Sequence, residues 1–187
     1  MKHSSLNIVQ SMRKLKLQEL NRLSPEEYST AKKLSIAVVL DNVRSLNNVG
    51  SAFRTSDALN VEKLYLCGIT GTPPHRDIQK TAIGAQDVVE WKHFDDTQDA
   101  ISALKKEGYT IASVEQTENS TSLQDIEVNQ ETKIALVFGN EVKGVNQEVI
   151  NASDLCIEIP QFGTKHSFNI SVSMGIVLWE IVRKMKF

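Results

Sequence analysis

Cysteine, proline and tryptophan are scarce in this 187-residue sequence, with two, four and two residues, and no apolar run approaches the length of about eighteen that a membrane-crossing helix requires. Cys67 and Cys156 stand singly in "LYLCG" and "DLCIEIP", without metal-ligand spacing or a disulfide pattern. They read as buried free thiols, which fits a reducing cytoplasm. The N-terminal "MKHSSLNIVQSMRKLKLQEL" lacks the continuous apolar core of a secretory signal, so neither secretion nor membrane insertion is expected. An excess of charge of one sign is missing too: 21 Lys and Arg face 23 Asp and Glu, a net charge of −2. Any nucleic-acid surface must therefore be local. His75, His93 and His166 show no metal spacing, no bound metal is expected, and there is no internal repeat.

What is present points to one domain with a short extension, 41% hydrophobic and 24% charged, long enough to bury a full core. Residues 1–34 read as a basic helical extension: up to position 23 they carry Lys2, Arg13, Lys14, Lys16 and Arg22 against Glu19 alone. That segment is a cationic arm, an amphipathic helix with Met12, Leu15, Leu20 and Leu23 turned inward, or both. Residues 35–187 alternate strands and helices. The strands are "SIAVVLD", "VEKLYLC", "VVEWKHF", "YTIASVE", "KIALVFG" and "LCIEIP". The clearest helix is "DDTQDAISALKKEG", capped by Asp95 or Asp96 and closed near Gly108, with Ala100, Ile101 and Leu104 as its apolar stripe. A last helix places Val172, Ile176, Trp179 and Val182 at helical spacing. This alternation predicts an α/β fold with a largely parallel sheet and helices on both faces.

The loop after the first strand, "DNVRSLNNVG", is neither G-x-G-x-x-G nor a Walker A loop, so an ordinary dinucleotide or nucleotide site is disfavoured. The peculiarities of the sequence fall instead at three separated sites, each just after a strand: "NNVGSAFR", "FGNEVKGV" and "IPQFGTKHSFN". Loops at the carboxyl ends of strands can share one crevice. In the first, Asn47 or Asn48 is an N-cap, Gly50 permits close approach and Arg54 emerges from the helix. In the second, Gly139 and Gly144 let the chain turn tightly around Asn140, Glu141, Val142 and Lys143. In the third, Ser167 caps the final helix and Asn169 faces the opening. A buried arginine needs a partner, and a bidentate pair between Arg54 and Glu141 would hold a guanidinium ready for phosphate.

On "NNVGSAFRTSDAL", "LVFGNEVKGV" and "IEIPQFGTKHSFNISVSMGI", in that order, the chain resembles the SpoU class of the SPOUT methyltransferases from about residue 36 to 184. "GTPPHRDIQKTAIGAQDVVEW" is similar to the branch acting on tRNA or large ribosomal RNA. The resemblance implies transfer of a methyl group from S-adenosylmethionine to a ribose 2′-hydroxyl of structured RNA, tRNA first and ribosomal RNA as the alternative. It implies a C-terminal deep trefoil knot and a homodimer in which Arg54 approaches the partner's cofactor pocket. Asn48, Arg54, Glu141, Ser167 and Asn169 would take the catalytic and substrate-binding positions. Cofactor contacts would come from Val114, Glu115, Gly139, Ile159, Ser167 and Phe168, and Arg44, Arg76, Lys80, Lys143 and Lys165 would meet RNA phosphates.

Two positions depart from the family pattern: Phe168 stands where relatives usually have Leu, and Asn60 where many have Gly, although Asn still tolerates a left-handed turn. The separate RNA-binding domain of some relatives is not in the sequence, which leaves residues 1–34 as the candidate arm. Arg54 has two readings, a base in a special environment or a cation that binds phosphate and stabilises the developing alkoxide. The competing functions are a base N-methyltransferase on the same knotted fold and a knotted RNA-binding module without catalysis.

Overall fold

The computed structural model describes residues 13–187, which divide into two compact units, the first ending at Ala31 and the second running Lys32–Phe187. In the first, a 3-10 turn at Leu17–Leu20 precedes the short helix α1 (Pro25–Thr30). The Ser24 hydroxyl accepts the Glu27 N–H at 3.2 Å and the Glu27 carboxylate accepts the Ser24 N–H at 2.7 Å, a reciprocal cap that starts α1 and separates it from the turn. The amphipathic-helix reading is therefore corrected: Leu15, Leu20 and Leu23 are exposed, while Met12 lies outside the described residues.

The second unit holds a seven-stranded sheet of β1 (Leu34–Asp41), β2 (Val61–Cys67), β3 (Glu90–Phe94), β4 (Thr110–Val114), β5 (Thr121–Ser122), β6 (Ile134–Phe138) and β7 (Leu155–Glu158). The order is β3-β2-β1-β6-β4-β7-β5, and every pairing is parallel. Its helices are α2 (Leu46–Ala58), α3 (Arg76–Ala82), α4 (Thr97–Lys106), α5 (Gln147–Ala152) and α6 (Ile170–Lys186). Insertion of β6 between β1 and β4, with β7 beyond β4, brings the ends of the first and sixth strands side by side.

The alternation of β1 explains the two layers. Ile36, Val38 and Leu40 enter one core with Phe53 of α2, Ile78 of α3 and Met174, Val177 and Leu178 of α6. Ala37 and Val39 enter the other with Ala100, Ile101 and Leu104 of α4 and Val149 of α5. Gly50 is where α2 and α3 touch, since a Cβ there would collide with the Ile78 carbonyl and the Thr81 hydroxyl. The stripe expected on α6 is rotated: Val182 is buried, but Val172 and Trp179 are about half exposed, at 49% and 55%. The helix carries a second apolar set, Met174, Val177, Leu178, Ile181 and Met185, and that set packs on the sheet.

Two of the three left-handed non-glycine residues in the second unit are asparagines, Asn42 and Asn60, each at φ 56°; Asn60 also donates to the Lys32 carbonyl at 3.0 Å. The third within this unit is Ile83, at φ 51° on the end of α3. A branched residue there costs about 1–2 kcal/mol relative to its right-handed form.

Candidate functional site

The carboxyl ends of β4, β6 and β7, the loop 139–146 and the loop 159–168 leading into α6 enclose a cavity of about 730 Å³. All six positions expected to meet a cofactor line it: Val114, Glu115, Gly139, Ile159, Ser167 and Phe168. Glu141, Lys143 and Asn169 also reach it. Phe138 and Ile157 add apolar wall at the strand ends.

One wall is a tight hairpin turn. Asn140 and Gly144 exchange backbone hydrogen bonds at 3.0 and 2.9 Å, and the Asn140 side-chain oxygen accepts the N–H groups of Val142 and Lys143 at 2.9 and 3.1 Å. Gly144 sits at φ 70°, and a Cβ at Gly139 would overlap the Gly144 and Val145 backbone, so the turn tolerates no side chain at either position. Glu115 closes the hairpin from β4: its carboxylate accepts the Val145 N–H at 3.0 Å and the Gln116 N–H at 2.9 Å.

The turn is anchored to β1. Asn140 donates to the Asn42 carbonyl at 2.8 Å. Asp41, 2% exposed, accepts the Thr97 hydroxyl at 2.7 Å, the Asn42 amide at 2.8 Å and the Asn146 N–H at 3.0 Å. Sequence reasoning gave Asp41, Asn42 and Asn140 no role. The available signal was a carboxylate ending an otherwise apolar strand, which burial obliges to find donors.

Glu141 does not pair with Arg54. Its carboxylate accepts the backbone N–H groups of Arg44 and Ser45 and the Asn48 side-chain amide, each at 2.9 Å. Partial burial works against its charge, but those three donors outweigh it and hold the carboxyl below the usual glutamate range. An acceptor-only carboxylate fixes the Asn48 amide with its NH2 toward Glu141, leaving its oxygen for the Asn169 NH2 at 3.4 Å. A chain Glu141–Asn48–Asn169 thus joins all three loops. Arg54 lies six positions beyond Asn48 on α2, about 9 Å along the axis and about 120° round it. It is exposed, makes no hydrogen bond or ion pair among the described residues, and does not line this cavity.

Both caps move by a few positions. Ser45, not Asn47 or Asn48, opens α2, its hydroxyl accepting the Asn48 N–H at 3.4 Å. Asn169, not Ser167, opens α6, accepting the Ser171 N–H at 2.9 Å. Ser167 is thereby left exposed on the cavity wall. Of the five candidate RNA-contacting cations, Arg44, Arg76, Lys80 and Lys165 are exposed, and Lys143 is at the cavity. Cys67 is buried as expected, whereas Cys156 is only half-buried. Among the described residues no helix is long and apolar enough to cross a membrane.

Residues 35–179 match the SpoU rRNA Methylase family. The tRNA (guanosine(18)-2'-O)-methyltransferase of Thermus thermophilus is 28% identical over 166 residues, 89% of this chain and 84% of that protein. The A. aeolicus TrmH/SpoU tRNA modifying enzyme superposes with a TM-score of 0.76 at 26% identity, over 86% of this chain and 80% of the other. An AdoMet-bound rRNA methyltransferase from Sinorhizobium meliloti gives 0.75 at 26% identity, over 87% of this chain and 61% of the other.

Proposed function

Because the chain belongs to the SpoU rRNA Methylase family, we propose that it transfers the methyl group of S-adenosylmethionine to a ribose 2′-hydroxyl of tRNA. The observation that carries this reading is the chain Glu141–Asn48–Asn169 at the rim of a cavity of about 730 Å³ lined by every expected cofactor position. The cavity fits the cofactor by size and by chemistry: apolar walls at Val114, Ile157, Ile159 and Phe168 suit an adenine. When bound, S-adenosylmethionine supplies an electrophilic methyl group on a sulfonium.

The chain's own residues supply position and charge. Asn48 and Asn169 hold their amides at fixed angles beside the cavity mouth, and Ser167 offers a free hydroxyl there. Alignment of this kind is worth about 7–11 kcal/mol in a group transfer. Among the described residues Arg54 has no partner, which supports its action on the cavity of a second copy, as base or as the cation that binds phosphate and stabilises an alkoxide. The exposed Val172 and Trp179, one face of the helix that Asn169 opens, support a homodimer along α6. The deep knot belongs to the same proposal, as do a cytoplasmic location and an RNA-holding role for the exposed N-terminal cations Lys14, Lys16 and Arg22.

The test is methyl transfer from labelled S-adenosylmethionine to separate tRNA and ribosomal RNA pools from cells lacking the gene. Label in tRNA alone is expected. Label in ribosomal RNA alone overturns the substrate, and no label in either overturns the enzyme reading in favour of a binding module.

A further inference from the structure

We propose that α3 and the residue that ends it form a contact for the substrate RNA strand, in which Ile83 packs against a nucleobase face while Arg76 and Lys80 hold flanking phosphates. The inference rests on the RNA reading above and adds a specificity surface outside the cavity.

Three observations converge on it. Ile83 ends α3 at φ 51° and ψ 47°, directly before Gly84 at φ 88°, a position that normally takes glycine or asparagine. The Ile83 side chain is 67% exposed, so packing within the chain does not account for a branched residue held in that conformation. Arg76 and Lys80 are four residues apart on one face of α3, and Ile83 follows directly at the end of that helix. Arg76 and Lys80 are exposed and make no hydrogen bond or ion pair among the described residues.

The surface is fixed relative to the site. Thr81 donates to the Asn47 carbonyl at 3.0 Å, one residue before Asn48, and α3 lies against Gly50 with no room for a side chain between the helices. Charge selects the occupant. Two free cations beside one apolar tip complement a strand of phosphates and bases, whereas the same face of a second copy would bring like charges together.

Ile83→Gly separates the contact from any structural role, because glycine relieves the left-handed strain and the variant should melt at or above the wild-type temperature. Binding of total tRNA from cells lacking the gene, measured by filter retention, should weaken about five- to tenfold, on the scale of a lost base-packing contact. Lys80→Gln should lower the slope of log affinity against log salt by about one phosphate contact. Unchanged tRNA affinity in Ile83→Gly overturns the inference. So does a change in its oligomeric mass with tRNA affinity intact, which would assign the face to a second copy. Failure of the wild-type protein to bind tRNA overturns the functional reading itself, and is distinguished by its appearing without any substitution.

Discussion

Glu141 is the residue on which the site's geometry turns, and its replacement gives the sharpest prediction. In Glu141→Ala the N–H groups of Arg44 and Ser45 and the Asn48 amide lose their shared acceptor. Water reaches all three donors, so each bond is worth the net figure of about 1 kcal/mol rather than the full cost of a buried orphan, about 2–3 kcal/mol together. For a chain of this size that lowers the melting temperature by about 4–12 °C. Glu141→Gln should fall between. Its one oxygen can replace Oε1, which serves Ser45 and Asn48, but its NH2 then faces the Arg44 N–H, donor against donor. Methyl transfer should suffer more than stability. Asn48 loses its orientation and with it the contact to Asn169, and a displacement of about 1 Å in a positioning group costs about 100-fold in rate. The assays are a thermal melt, cofactor binding by calorimetry and single-turnover transfer to tRNA. An alanine variant with wild-type melting temperature and wild-type rate would refute the reasoning.

Four further outcomes follow from the same structure. Asn169→Ala should lose about 1 kcal/mol of helix cap, read in a denaturant titration, whereas Ser167→Ala should leave stability unchanged and affect transfer only, since its hydroxyl caps nothing. Gly50→Ala should cost about 1–3 kcal/mol by wedging α2 from α3, and an unchanged unfolding midpoint would count against the packing described. Burial opposes the charge of Asp154, but the Ile111 N–H at 2.7 Å and the Lys105 ammonium at 3.0 Å hold its carboxyl below the usual aspartate range. A folded pKa below the unfolded one gives stability that is complete above about pH 4 and is lost as pH falls through the folded value, so Asp154→Asn should flatten the acid limb of a melting-temperature profile. Burial pushes the Cys67 thiol up to about 12, so a thiol reagent at pH 8 should modify Cys156 and spare Cys67 until the protein unfolds.

The layers of this fold were legible because β1, β2 and β6 are short runs of branched and apolar residues, and such strands separated by helices leave few arrangements. β5 was not, because Thr121–Ser122 is too short to have a period. Val88 and Val89 read as strand but precede β3, for Val89 closes a turn onto the Ala85 carbonyl at 3.0 Å. The stripe on α6 failed for a different reason: its apolar residues run nearly all the way round, and spacing alone cannot say which set meets the sheet. Caps were misplaced where capping residues crowd together, as in "RSLNN" and "HSFN". For the site, the three loops were legible from their glycines and polar residues. The Arg54 to Glu141 pair was not there because spacing says nothing of two backbone N–H groups 97 and 96 residues away that satisfy the same carboxylate first.

The central claim is that the reacting atom is a ribose 2′-oxygen, and alkaline hydrolysis of the methylated RNA addresses it directly. A free 2′-hydroxyl lets base cleave the adjoining phosphodiester, and a methyl group on that oxygen blocks the attack. After transfer from methyl-labelled S-adenosylmethionine to tRNA and complete alkaline digestion, label should be recovered in alkali-resistant dinucleotides. Label recovered in mononucleotides would place the methyl on a base and contradict the account.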